Sequence, residues 1–321
     1  MRALVTGASG FVGRALCERL AEEGAFVRAV VRRDVDVPAN ERIVIDNIDE
    51  RTDWTRALDS IDTVFHLGAV AHITSPTPEH YAQMHRTNAL GTAALANAAS
   101  GHVERFVYVS SVKVGGESSG ERPLRESDPP APSDPYGRSK WEGERAVRAA
   151  SARFSIVRPP LVYGPGVRAN FLSLMRIVDR RLPLPFGSVD NRRSLVYVRN
   201  LADALVAVAA IPGETFYVSD GEDLSTPELI RRLAFALGIK PRLFRMPRAF
   251  LRALDRIVPS LDKLTGNLQV DTRKLRAFWT PPFTVEQGLA ETARWFRSGA
   301  PFTAGPHPPA SGPHSPSTWR T

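Results

Sequence analysis

The sequence predicts an α/β protein, a doubly wound parallel sheet with a smaller C-terminal substrate-binding region. Three observations carry that prediction. Short apolar runs alternate with helix-periodic stretches over the first half of the chain. A glycine-rich turn joins the first run to the first helix, and beyond Pro165 the alternation loses its regularity. The chain has 321 residues, about two domains' worth, and its 43% hydrophobic and 24% charged content excludes wholesale disorder and fibrous repeats.

Residues 3–6 form the first apolar run and end in Gly7-Ala8-Ser9-Gly10-Phe11-Val12-Gly13. A helix follows with Val12, Leu16 and Leu20 on one stripe and Gly24 as its stop. Strands are predicted over 26–31, 43–45, 63–67 and 106–110, with an alanine-rich helix over 89–100 between the last two. Residues 115–135 hold five prolines and read as a loop, of a length that is usually functional. A helix begins near Tyr136, and a strand over 154–157 ends at Pro159-Pro160. Further helices are expected over 171–180, 201–211, 226–237, 248–257 and 271–279. This gives a dinucleotide-binding domain over 1–165, rejoined by segments near 190–211, and a substrate region over 166–298. The tail, 299–321, has six prolines, no Leu, Ile or Val, and one formal charge, Arg320. It cannot bury enough surface to offset its ordering entropy and is expected to be disordered.

Lys and Arg number 42 against 34 Asp and Glu, a net charge of +8. No basic run is interleaved with aromatics, so an anionic small ligand is favoured over nucleic acid. Cys17 is the sole cysteine, so no oxidising compartment is implied. The longest apolar run, 204–211, falls short of the ~18 residues of a membrane span, and residues 3–5 are too few for a signal-peptide core. The expectation is a cytoplasmic enzyme without membrane insertion. Met246 to Pro259 combines three arginines with Phe250, Leu251, Leu254 and Ile257 and reads as a packed helix in preference to a membrane-surface one. His66, His72, His80 and His85 lack the spacing of metal ligands, so no metal is expected.

Gly7-x-x-Gly10-x-x-Gly13 follows a strand and opens a helix, the context of a Rossmann dinucleotide site. Gly7 permits the tight turn, Gly10 lets the backbone approach a pyrophosphate, and Gly13 lets helix and sheet pack closely. The phosphates would meet free N–H groups at the helix start, around Phe11 and Val12. The second strand ends Val31-Arg32-Arg33-Asp34, with Val31 where an acidic residue would hold a ribose hydroxyl. Arg32 and Arg33 suit a 2′-phosphate or form a solvated strand end, so NADP is favoured over NAD, with Asp34 as the contrary sign.

Tyr136-x-x-x-Lys140 at a helix start puts both side chains on one face. An ammonium and a cationic nicotinamide would bring the phenol, normally near pKa ~10, into working range. Ser111 stands at the carboxyl edge of the fifth strand, where ligands bind parallel sheets, and can hydrogen-bond the oxygen that Tyr136 protonates.

With these motifs, together with His66-Leu67-Gly68-Ala69, Asn88-x-x-Gly91-Thr92 and Arg158-Pro159, the chain resembles the extended short-chain dehydrogenase/reductases of the NAD-dependent epimerase/dehydratase family over residues 1–297. It is similar in particular to the UDP-N-acetylquinovosamine-type 4-keto-sugar reductases of bacterial surface polysaccharide (O-antigen) synthesis. The resemblance rests on Ser110 to Val114, Asp134 to Glu142, Arg158 to Gly166, Asn191 to Leu195 and Val218 to Thr226. It implies that Ser111, Tyr136 and Lys140 are catalytic. Leu67, Gly68 and Ala69 would line the cofactor, Asn47 and Ile48 would lie by the adenine, and Pro159 would flank the nicotinamide. Asn170 and Arg193 would hold the diphosphate of a UDP-sugar. Asn47 departs from the usual aspartate but can still bond the adenine amino group. Homologous folds suggest a homodimer through paired helices.

Two departures narrow the reaction. Family members that eliminate water place an Asp-Glu pair directly after the catalytic Ser or Thr, where this chain has Val112 and Lys113. Many epimerases place Asn where this chain has Leu161. The reading is reduction of a UDP-4-keto-6-deoxy-N-acetylhexosamine at C4. A UDP-hexose 4-epimerase, acting on UDP-glucose or UDP-N-acetylglucosamine, is the alternative, and a non-catalytic dinucleotide-binding scaffold a remoter one.

Overall fold

Seven parallel strands make the central sheet, in the order β3-β2-β1-β4-β5-β6-β9. They are β1 (Arg2–Thr6), β2 (Phe26–Val31), β3 (Glu41–Val44), β4 (Thr63–His66), β5 (Arg105–Val109), β6 (Phe154–Arg158) and β9 (Glu214–Tyr217). A computed structural model describes residues 1–71, 77–150, 153–247, 250 and 262–299. Because every pairing is parallel, the carboxyl ends of β1, β4, β5 and β6 share one edge, with Thr6 in register with His66 and Val109 with Val157.

Period-two alternation sorts the strand residues onto two faces. Ala3, Val5, Phe65, Val107 and Val157 join one core. Leu4, Val64, Phe106 and Ile156 join the other. The first face is covered by α1 (Phe11–Glu22), which packs on α7 (Val198–Val208). The second carries α2 (Thr55–Leu58), α4 (Thr92–Ala99), preceded by α3 (Pro78–His85) and a π-helical stretch over Arg86–Gly91, and α5 (Pro135–Ala150). Strands buried on both faces read as continuous apolar runs, which is why the sequence shows them.

The chain beyond 165 returns to this sheet twice, through α7 and through β9 at its edge. Its β8 (Leu195–Tyr197) pairs in parallel with β7 (Leu161–Tyr163), just before that boundary, as a separate two-stranded sheet. Helices α6 (Ala169–Asp179) and α8 (Thr226–Ala236) and a C-terminal helix, Val285–Ser298, complete the region. The helix expected over 271–279 is only the single turn Arg273–Arg276. Most of the helix expected over 248–257, and the tail beyond Gly299, lie outside the described residues. No helix among the described residues is long and apolar enough to cross a membrane.

Candidate active site

The glycine turn is a cradle that side chains would fill. Gly7 sits at φ 68°, and a Cβ there would stand 2.9 Å from the Gly68 nitrogen. A Cβ at Gly13 would be driven into the Gly7 carbonyl oxygen, and the Gly10 N–H donates to that same oxygen at 2.9 Å. No side chain caps the start of α1, which leaves the N–H groups at Phe11 and Val12 aimed outward. This is the donor set that a pyrophosphate needs, so the residues present fit a dinucleotide. Arg32 and Arg33 are exposed beyond β2, and neither makes an ion pair among the described residues. Asp34 is instead engaged by Arg42 at 2.9 Å. Asn47 is exposed, while Ile48 fills the notch left by two glycines, its methyl carbons 2.7 Å from where a Cβ would stand on Gly68 or Gly91.

Below this cradle runs a buried polar chain. The N–H groups of Leu67 and Gly68 donate to the Thr6 hydroxyl at 3.2 and 3.0 Å. Thr6 meets His66 Nδ1 at 2.6 Å, and His66 Nε2 meets the Thr92 hydroxyl at 2.9 Å. Thr92 donates onward to the Asn88 carbonyl at 2.8 Å. Only one tautomer serves every link: Thr6 donates to Nδ1, and Nε2–H donates to Thr92. Burial and the Lys140 charge pull the His66 imidazolium down to about 3, so the ring is neutral. Asn88 also clasps Val70 through both backbone groups, at 2.8 and 2.9 Å, and donates to the Ser139 hydroxyl at 3.0 Å. The loop after β4 is thereby fastened to α5. His66 thus holds the loop in place, and no group of three or more His, Cys, Asp or Glu suited to a metal exists among the described residues. His72 lies outside them.

Helix α5 presents Tyr136, Lys140 and Glu144 at four-residue steps along one face. Tyr136 is half-buried; enclosure of its hydroxyl and the Asp134 charge push the phenol up to about 12. The expected lowering by Lys140 is therefore not what the chain's own surroundings produce. Lys140 is 1% exposed, with Nζ 4.1 Å from the centroid of the Tyr108 ring. Burial pulls its ammonium down to about 7, and the carboxylate of Glu144 opposes that fall.

Glu144, wholly buried, is the electrostatic floor of the site. It accepts from Arg158 Nε and Nη2 at 2.8 and 2.7 Å and from the Ser110 hydroxyl at 2.5 Å. One carboxylate thus ties α5 to the ends of β5 and β6, next to Ser111 and Pro159. Ser111 caps the 3-10 turn Val112–Val114, its hydroxyl accepting from the Lys113 N–H at 3.2 Å, and that turn packs on α5. Pro159 is buried, and its carbonyl takes the Val112 N–H at 2.9 Å. Lys113 is itself ion-paired to Asp134 and, at 3.1 Å, to Glu117. Asp134 in turn accepts the Gly137 N–H at 2.6 Å, so this pair anchors the start of α5.

The remaining candidates lie in the C-terminal region. Asn170 is exposed in the first turn of α6, directly after Ala169, which is held at φ 53°. Arg193 pairs its backbone with Leu224, and its guanidinium donates to the Gly266 carbonyl at 2.9 Å. Glu144, Tyr108 and Asp134 escape the sequence reading. Of these, Glu144 carries a signal, four residues beyond Lys140 on a helix.

Residues 3–218 match the model of the NAD dependent epimerase/dehydratase family. A UDP-glucose 4-epimerase of Vibrio cholerae is 37% identical over 91% of this chain and 94% of its own. A ceramide reductase of Caulobacter vibrioides is 31% identical over 92% and 94%. Among solved structures, MoeE5 in complex with UDP-glucose and NAD superposes with a TM-score of 0.76 at 26% identity, over 93% of this chain and 99% of that one. The chain belongs to the NAD-dependent epimerase/dehydratase family.

Proposed function

We propose that the protein is an NAD(P)-dependent oxidoreductase of UDP-linked sugars that acts at C4, reducing a UDP-4-keto-6-deoxy-N-acetylhexosamine. The observation that carries this is that Ser111, at the carboxyl end of β5, caps a turn packed on the helix that bears Tyr136 and Lys140, at the sheet edge where β1 runs into the uncapped glycine turn, with Lys113, already paired to Asp134, where an eliminating enzyme keeps an acid. A nicotinamide held at the glycine turn would supply the hydride for the sugar carbon. Tyr136 delivers the proton to the C4 oxygen, which Ser111 orients by hydrogen bonding. Lys140, whose ammonium Glu144 favours against the pull of burial, steadies the phenolate that remains and holds the nicotinamide ribose. Arg193 and Asn170 take the diphosphate.

The second reading, a UDP-hexose 4-epimerase, is favoured by the likeness to the Vibrio enzyme. The MoeE5 structure supports NAD as the cofactor, whereas the unpaired Arg32 and Arg33 support NADP. A panel of UDP-sugars and UDP-4-keto sugars, offered with NADH and with NADPH, separates these. A reductase consumes reduced nicotinamide in proportion to keto sugar. An epimerase interconverts UDP-glucose and UDP-galactose with none added. Consumption with a long-chain keto lipid and no sugar would overturn both.

A further inference from the structure

Far from the catalytic helix, the face formed by the ends of α6 and α8 is both cationic and apolar. Residues 229–247 hold Arg231, Arg232, Lys240, Arg242 and Arg245 and not one Asp or Glu. Arg232 turns to Glu222, Glu228 and Glu286. The other four are exposed, as are Arg176, Arg180 and Arg181 at the end of α6, and none of these seven makes an ion pair among the described residues. The neighbouring acid, Asp179, is taken by Arg297 at 2.8 Å. Arg181 stands at φ 52°, where a helix ordinarily ends in glycine, so a cation is kept at some cost in backbone strain.

Amid these cations Phe235 is 87% exposed, Leu182 46% and Phe244 43%. They belong to one surface. Leu184 and Leu243 are bridged, with the Leu184 N–H on the Arg242 carbonyl at 2.8 Å and the Phe244 N–H on the Leu184 carbonyl at 3.1 Å. Arg297 joins the two helix ends by holding Asp179 and the Leu237 carbonyl. Arg231, Phe235, Ile239, Lys240, Pro241 and Leu243 line an open hollow of about 500 Å³. Arg180, at the end of α6, lies roughly 15 Å along the helix from Asn170 at 1.5 Å per residue.

A second copy of the chain would bring seven cations against seven, which argues against self-association. A nucleic acid satisfies the charge but gives Leu182 and the Ile239–Leu243 hollow nothing to bury against. An anionic bilayer satisfies both, since lysine and arginine meet headgroup phosphates while aromatic and aliphatic side chains enter the acyl boundary. We infer that this face docks the enzyme on an anionic phospholipid surface, with Phe235, Phe244 and Leu182 as the inserted residues.

The test is sedimentation of the full chain with phosphatidylcholine vesicles, with and without phosphatidylglycerol. Binding is expected only to the mixed vesicles. Replacing Lys240 and Arg242 together by Gln should weaken it about thirtyfold, from about a fivefold loss for each cation near the surface. Phe235→Ala should weaken it about tenfold, for loss of one partly inserted ring. Phe235 touches water in the free protein, so this variant folds, and an unchanged melting midpoint confirms it. The proposal is overturned if mixed vesicles do not bind or if neither variant weakens binding. It is also overturned if Phe235→Ala leaves vesicle binding intact while the chain is held equally by DNA, or if Phe235→Ala instead dissolves a dimer.

Discussion

Acidification should find His66 first. Its ring is a relay with both ends in use, accepting from Thr6 and donating to Thr92. A proton on Nδ1 would force the Thr6 hydroxyl to accept, although it already takes the N–H groups of Leu67 and Gly68. In the unfolded chain the imidazole titrates near 6.5, and in the fold it is held down to about 3. The stability tied to this neutral ring is therefore complete above pH 6.5 and drains as pH falls toward 3. At pH 5 the unfolded ring has gained ~1.5 pH units of protonation that the folded ring has not, or about 2 kcal/mol. For a chain of this size the His66 share is a fall of roughly 3 °C in melting midpoint between pH 7 and pH 5. Asp220 acts the opposite way: burial raises its carboxyl to about 6, so its ionisation costs stability as pH rises from 3.8 through 6. That contribution is common to wild type and His66→Gln and cancels between them. The assay is thermal unfolding by circular dichroism of both proteins from pH 7 to pH 5. The His66→Gln midpoint, lower at pH 7, should converge on wild type as the solution is acidified. Parallel curves would refute the assignment of a buried neutral relay.

Tyr136→Phe should lower kcat by about a hundredfold or more, as loss of a general acid does, with nicotinamide binding by fluorescence unchanged. Glu144→Gln leaves Arg158 facing a neutral amide and Lys140 without its counter-charge; about 3–5 kcal/mol of stability should be lost, read from the denaturant midpoint. Because Glu144 opposes the burial that pulls Lys140 to about 7, its removal should also move the alkaline loss of any residual activity to lower pH. Replacing Arg32 and Arg33 by Ala should raise KM for NADPH about tenfold and leave KM for NADH alone, a charge-assisted contact to the 2′-phosphate being lost. Equal effects on both cofactors would mark a solvated strand end.

Five of the seven sheet strands are legible because burial on both faces writes them as largely apolar runs, whereas the edge strand β3 shows only through Ile43 and its apolar neighbours. The seventh, Glu214–Tyr217, is four residues with one outward Glu, and the β7 and β8 strands have three residues each, too short for any period to show. The C-terminal helix carries a signal of its own in the sequence: Thr284 and Gln287 form a capping box ahead of an apolar stripe.

Within the site, what could be read was what is local. Tyr136 and Lys140 share a helix face by spacing alone, and the glycine turn is contiguous. The supports beneath them join residues far apart in sequence: Thr6 to His66, Asn88 to Ser139, Lys113 to Asp134 across a proline-rich loop. A threonine in a strand reads as a good β-former, and a lysine beside a loop reads as surface, until topology supplies the partner. Glu144 lies between these cases. Its spacing from Lys140 is visible, but a carboxylate on an otherwise amphipathic helix reads as solvated. Only with Arg158 and Ser110 delivered by neighbouring strands does burial of that charge become affordable. The same convergence puts a negative charge where Lys140 needs one, so the ion pair that closes the sheet edge and the charge state of the candidate catalytic lysine are one feature of the fold.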